Sequence, residues 1–190
     1  MKKIICLYGP PGAGKTTQAD LLVSKYGFTK FGMGERLRAE IASGSLLGKQ
    51  MKPYVDKGVL IPDKYMAQII KDAEKMSGEA GLIFDGFPRI VSQALMLDTI
   101  VSSIGLKINA FIYLHLSPEK ALTRIKERSL LDSSRQDDID EVAIKNRFEV
   151  FEKESISLLN FYKQRKLVTE IEGGMSIEDI NQSIIKNLGL

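Results

Sequence analysis

Cysteine occurs once in this chain of 190 residues, at Cys6, and histidine once, at His115. A single thiol forms no intrachain disulfide, so the chain is expected in a reducing compartment, the cytoplasm. Cys6 lies mid-way along an apolar run, where it reads as a small core residue rather than a nucleophile. His115 sits in a second such run and reads as a core or rim residue. Long apolar stretches are missing, and none approaches the roughly 18 residues of a membrane helix. The opening MKKIICLYG has too short an apolar part for a secretion signal. A dense basic stripe is missing too. The net charge is +3, and the arginines of interest fall singly, at Arg38, Arg89, Arg124, Arg128, Arg135 and Arg147. Nucleic acid is therefore not an expected partner. There is no repeat, low-complexity tract or long linker. With 44% hydrophobic residues, the chain has enough apolar material for one domain around one sizeable core.

What is present is alternation. Apolar, β-rich runs at KIICLYG, FTKF, GLIFDG, NAFIYLHL and KLVTEIEG are separated by stretches of helical periodicity. Helices are expected at 16–25, 34–43, 48–57, 63–76, 90–104, from Pro118 onward, at 140–163 and at 177–188. The reading is an α/β fold: a five-stranded parallel sheet with helices on both faces and ligands at the carboxyl ends of the strands. Two excursions interrupt the alternation. Residues 32–62 form a helical insert, and residues 129–138, SLLDSSRQDD, form a short polar lid.

The segment GPPGAGKTT follows the first strand and fits G-x-x-x-x-G-K-[ST] at Gly9, Gly14, Lys15 and Thr16. Glycines let backbone amides turn inward around an anion, and the helix that follows adds its positive end. Lysine reaches the outer phosphates, and a threonine hydroxyl touches Mg²⁺. The motif specifies a nucleotide, not a reaction. DGFPR, at Asp85–Arg89, narrows the choice. Asp85 ends a buried strand, where an acid holds the water shell of Mg²⁺. Arg89 is placed to fork onto a second phosphate.

In order and spacing, GPPGAGKTTQA, GERLR, DGFPRIVSQA, RIKER, SSRQDD and NRF resemble the adenylate kinase family, and the likeness runs essentially from end to end. The resemblance implies a phosphate-loop core, a monophosphate-binding insert, a lid, and the Mg²⁺-dependent reaction of ATP with AMP to give two ADP. It assigns Gly12, Ala13, Gly14, Lys15, Thr16 and Thr17 to the ATP phosphates. Arg124 and Arg128 go to the ATP base and phosphates, and Met175, in the loop from Gly173, to the adenine. It assigns Arg38 and Arg89 to the AMP phosphate. Met33, Val59, Leu60, Ile61, Gly86, Phe87 and Pro88 line the AMP pocket, and Gln93 reads the adenine edge. Arg135 and Arg147 close on the transferring phosphoryl group, so the catalytic set is Lys15, Arg38, Arg89, Arg128, Arg135 and Arg147. Asp85, through water, and Thr16 attend the Mg²⁺.

The chain departs from the family pattern in four places. Lys-Gly-Thr is Lys15-Thr16-Thr17, which restores the general phosphate-loop pattern. The lid is short and has no cysteines, so zinc is not expected. The spacing from Arg135 to Arg147 is one residue longer than the family pattern. Thr-Gly-Asp is Met33-Gly34-Glu35, which replaces a hydroxyl near the AMP base by a thioether. A monomer is expected. The alternatives are a UMP/CMP kinase, against which Gln93 argues, and a nucleotide-sensing module without turnover. A GTPase is disfavoured because no Asn-Lys-x-Asp signature occurs.

Overall fold

The computed structural model describes residues 2–71, 73, 79–131 and 136–190. Five strands form one parallel sheet: β1 (Lys3–Tyr8), β2 (Thr29–Gly32), β3 (Gly81–Asp85), β4 (Ile108–His115) and β5 (Val168–Glu172), in the order β2-β3-β1-β4-β5. Each pairing is parallel; Cys6, for example, stands beside Phe84 on one side and Phe111 on the other. Strands buried on both faces read as continuous apolar runs, and β1 does so because successive side chains point opposite ways. Ile4, Cys6 and Tyr8 enter one core layer, and Ile5 and Leu7 the other.

Helices cover both faces, as expected. One face carries α1 (Lys15–Tyr26), α6 (Pro118–Leu131) and α8 (Ile177–Leu188), which contribute Ala19, Leu22, Ala121, Ile180 and Ile184 to its core. The other carries α2 (Met33–Ala42), α3 (Leu46–Asp56), α4 (Asp63–Ile70), α5 (Val91–Ser103) and α7 (Glu141–Lys163). There Tyr162 of α7 stacks on Phe111 at 4.1 Å between ring centres, a contact worth about 0.5–1.5 kcal/mol beyond the area it buries. Asp140 caps α7 by accepting from the amides of Val142 and Ala143, and Ser176 caps α8 by accepting from that of Asp179; each cap contributes about 1 kcal/mol. Among the described residues, no helix is long and apolar enough to cross a membrane.

Two expectations need adjustment. The helix expected over 63–76 is regular only over Asp63–Ile70; residues 72 and 74–78 lie outside those described. Of the expected lid, Ser129, Leu130 and Leu131 continue α6, because nothing in RIKERSLL breaks a helix. Gln136–Asp138 form one 3-10 turn, and residues 132–135, including Arg135, lie outside those described.

The chain runs from β1 past β3 to β2, and later from β3 past β1 to β4. These connections leave in opposite directions, so a crevice opens at the carboxyl ends of β1 and β3. The phosphate loop and Asp85 both sit there.

Candidate active site

The loop from Gly9 to Thr17 turns tightly between β1 and α1. Gly12 has φ +81°, and a Cβ on it would lie 2.6 Å from the carbonyl oxygen of Ala121 on α6. Only glycine meets both demands. Gly14 sits at the N-cap of α1 in the left-handed region; no side chain caps this helix and no acid occupies its first turn. Its first amides are left open to an anion, with the helix dipole behind them.

Lys15 folds back over the loop. Its Nζ donates to the carbonyls of Gly9 at 2.9 Å and Pro10 at 2.8 Å. Burial pulls its pKa from the ordinary lysine value down to about 7; Asp85 opposes the shift, and Arg89, Arg147 and Arg128 add to it. Beside it, the Thr16 hydroxyl donates to Asp85 Oδ2 at 2.6 Å. Asp85 is 8% exposed, so a hydroxyl and a carboxylate, both hard oxygen donors, converge at the mouth of the loop.

Arg89 bends over its own turn, with Nε donating to Gly86 O at 3.2 Å and the backbone N–H to Gln93 Oε1 at 2.9 Å. An N–H can only donate, so this contact fixes which end of the buried Gln93 amide is oxygen and leaves its NH₂ for the chamber it lines.

The other side of the site is an arginine cluster built on one carboxylate. Asp138, its side chain fully buried, accepts Nε and Nη2 of Arg128, both at 2.7 Å, and Nη1 of Arg147 at 2.7 Å. Arg147 also reaches the Asp137 carbonyl and carboxylate, each at 2.9 Å. Burial alone would raise the pKa of Asp138, but the hydrogen bonds from Arg128 and Arg147 outweigh it and hold the carboxyl below its usual range. The turn before Val59 leans on the same helix. A Cβ on Gly58 would lie 2.3 Å from Ala143 O, and Asn146 Nδ2 donates to Lys57 O at 2.8 Å.

These walls enclose a cleft of about 710 Å³. It runs from Gly34, Arg38 and Gly58, past Gly86 and Arg89, over the whole phosphate loop, to Arg124, Arg128, Leu131, Met175 and Ile177. A smaller chamber of about 60 Å³ adjoins it, lined by Met33, Leu37, Val59, Leu60, Ile61, Met66, Phe87 and Gln93. Arg38, Arg89, Asp137 and Arg147 line both.

The residues singled out in the sequence therefore converge. Gly12 to Thr17, Asp85, Arg124, Arg128 and Met175 line the cleft; Met33, Val59, Leu60, Ile61, Phe87 and Gln93 line the chamber. Arg38, Arg89 and Arg147 stand between them, and Gly86 lines the cleft. Pro88 is buried and lines neither, and Arg135 is outside the described residues. His115 is an exposed rim residue, 3.6 Å from Glu172, rather than part of the core. Cys6 is fully buried, and burial pushes its thiol up, which makes it inert. Sequence reasoning missed Asp137 and Asp138. The signal was available: two adjacent acids in a polar turn, flanked by arginines that need a counter-charge.

The Adenylate kinase family model matches residues 7–167. An adenylate kinase of Thermobifida fusca is 36% identical over 179 residues, covering 94% of each chain. One from Leptospira biflexa is 36% identical over 189 residues, covering 99% of this chain and all of the relative. One from Caulobacter sp. K31 is 37% identical over 181 residues, 95% of each chain. With the family model and the whole-length relatives in agreement, the chain belongs to the adenylate kinase family.

Proposed function

We propose that the protein transfers the γ-phosphoryl group of Mg²⁺-bound ATP to AMP, reversibly, to give two ADP. The observation that carries this reading is the junction of two unequal chambers at one set of cations. ATP lies along the large cleft, with its phosphates in the loop and its base between Arg124, Leu131, Met175 and Ile177. AMP enters from the side of the small chamber, with its base beside Gln93 and Met33 and its phosphate on Arg38 and Arg89. The two phosphate chains meet at Lys15, Arg89, Arg128 and Arg147.

The transferred group spreads charge over its equatorial oxygens, so catalysis is alignment and charge stabilisation more than covalent help. Lys15 must leave the carbonyls of Gly9 and Pro10 and follow the β- and γ-oxygens. Arg128 and Arg147 are held ready by Asp138. Thr16 and Asp85 have the donor chemistry that would hold Mg²⁺, Asp85 through water, and the ion would supply charge neutralisation to the phosphates. The 32–62 insert and the 129–138 segment, with Arg135, close over the nucleotides and exclude water, which would otherwise take the phosphoryl group. A bisubstrate joining two adenosines through five phosphates should lower hydrogen exchange in both segments together.

For the acceptor base, the Gln93 NH₂ donates to adenine N1, and the free lone pair of Oε1 accepts from the 6-amino group. UMP and GMP present a ring N–H where this site offers a donor, and CMP underfills the chamber. The Met33 thioether adds flexible apolar surface for the adenine face. The test is ADP formation with ATP saturating and AMP, CMP, UMP, GMP or dAMP as acceptor. AMP should lead in kcat/KM. CMP or UMP within about threefold of AMP would install the UMP/CMP kinase reading instead. No turnover with any acceptor would leave a nucleotide-sensing module.

A further inference from the structure

Between the phosphate loop and the donor-base end of the cleft runs a string of buried amides that the reaction itself does not use. Gln18 lies in the first turn of α1, and its backbone N–H donates to Gly14 O at 3.1 Å. Its side chain, 1% exposed, donates from Nε2 to the carbonyl of Ile177, the first residue of α8, at 2.9 Å. Asn181, fully buried one turn further along α8, donates from Nδ2 to Gln18 Oε1 at 3.1 Å. The direction of the string is fixed, because the Ile177 carbonyl can only accept. Each amide must then present NH₂ inward along the string, which leaves Asn181 Oδ1 at its far end buried and without a partner among the described residues.

The surroundings of these amides are apolar: Ala19, Leu22, Ile180 and Ile184 fill the α1–α8 layer. Two leucines would occupy such a layer without the unpaired Asn181 Oδ1, whose burial costs stability, and would remove only the side-chain donor to the Ile177 carbonyl. What the amides supply, and leucines do not, is a directional link of fixed length. That link spans two parts of the cleft. Gln18 follows Lys15-Thr16-Thr17, and Ile177 follows Met175, which lines the opposite end. The loop over 173–176 is held from the sheet side by Gly173 N–H to His115 O at 2.6 Å and Gly174 N–H to Glu172 Oε1 at 2.9 Å. The Gln18 contact holds the same segment from the α1 side.

We propose that Gln18 and Asn181 are positioning residues that set the distance between the phosphate loop and the segment receiving the donor base, and so act on ATP and not on the acceptor. This rests on the phosphoryl-transfer reading above. ATP touches both ends of the link, so a slack link leaves its phosphates and base unable to seat together. The acceptor lies beyond Arg38 and Arg89, off this link.

The test is the full-length double variant Gln18→Leu with Asn181→Leu. Both side-chain amides are replaced by apolar groups, and loss of the donor to the Ile177 carbonyl is offset by removal of the unpaired Asn181 Oδ1, so its melting temperature should stay close to that of the wild type. The dissociation constant for MgATP, titrated calorimetrically without AMP, should rise about five- to tenfold, the scale of one lost directional hydrogen bond, and KM for ATP should follow. KM for AMP should stay within about twofold. Asn181→Leu alone should move ATP affinity the same way by less, although Asn181 is not among the residues lining the cleft. Unchanged ATP affinity, or equal weakening of ATP and AMP, would overturn the proposal. If the double variant does not fold, Gln18→Met, which keeps the chain length, carries the same readouts. A wild type that makes no ADP would strike the proposed function, while the MgATP titration would still decide the role of the link.

Discussion

Lys15 rests on two neutral carbonyls of its own loop, whereas Arg128 and Arg147 rest on the carboxylate of Asp138. Both arrangements keep cations at the cleft before a nucleotide arrives, but they keep them differently. A carbonyl pair holds an ammonium without neutralising it, so Lys15 stays loosely committed, and burial, which lowers its pKa to about 7, leaves it partly deprotonated near neutrality. A buried carboxylate with three charge-assisted hydrogen bonds holds two guanidinium groups in fixed places and keeps them charged. One wall of the site supplies a recruitable charge and the other a pre-aimed one.

The largest expected effect tests the recruitable charge. Lys15→Met should lose at least about 10²-fold in kcat, corresponding to roughly 3 kcal/mol of transition-state stabilisation. The variant should melt like the wild type, because no counter-ion is stranded. More than half of the wild-type rate in a normally folded variant would break the contrast at its first term.

Asp138→Asn tests the pre-aimed charge, with stability as its main readout. Removing one partner of a buried pair leaves uncompensated charge, so a loss of about 2–4 kcal/mol at pH 7 is expected, with kcat about tenfold lower. The native carboxyl is held below its unfolded value near 4, so its contribution is fully present above about pH 5 and fades as pH falls through the native value. Urea melts of wild type and variant should therefore converge in acid. A gap that is the same at pH 3 and pH 7 would mean that charge is not what Asp138 supplies.

A neutral contact provides a control for both. Gln93→Asn shortens the amide proposed to read the base, whose contact with Arg89 is to the backbone and not the guanidinium, so it should lower kcat/KM for AMP about 5- to 10-fold and much less for CMP. Equal losses would remove Gln93 from base recognition.

The smallest signal separates the two walls directly. With Lys15 near pKa 7 when free and held charged by phosphate when bound, MgATP binding should take up close to one proton at pH 8 and almost none at pH 6. Arginines contribute none at either pH. Calorimetry in buffers of different ionisation heat measures this, and equal uptake at both values would mean that Lys15 is already fully charged when free.

What could be read from the sequence was local. The strand run before Gly9, the glycine spacing and the acid ending β3 are signals within a few residues, and each element lies where its pattern put it. The insert's pocket-lining stretch, Val59 to Ile61, was legible only through family likeness, because nothing in an apolar tripeptide names a ligand. Asp138 and Asn181 were not read as site residues at all. Their partners lie 10 and 163 positions away in sequence, at Arg128 and Gln18, and a polar residue in a helix turn has no periodicity that marks it as buried. Of the helix expected over 63–76, Asp63–Ile70 is a regular α-helix, and residues 72 and 74–78 lie outside those described.

The close approach of Gly12 to Ala121 makes a lever of α6. Ala121 is the fulcrum, pressed against the phosphate loop, and Arg124 and Arg128 ride along the arm, the farther one about 10 Å away at 1.5 Å per residue. Loop and arginines thus share one mechanical frame. A methyl group added at position 12 would not simply crowd a phosphate; by pushing on the Ala121 carbonyl it would tilt the arm and carry Arg128 off Asp138, disarming a charge at the far side of the cleft.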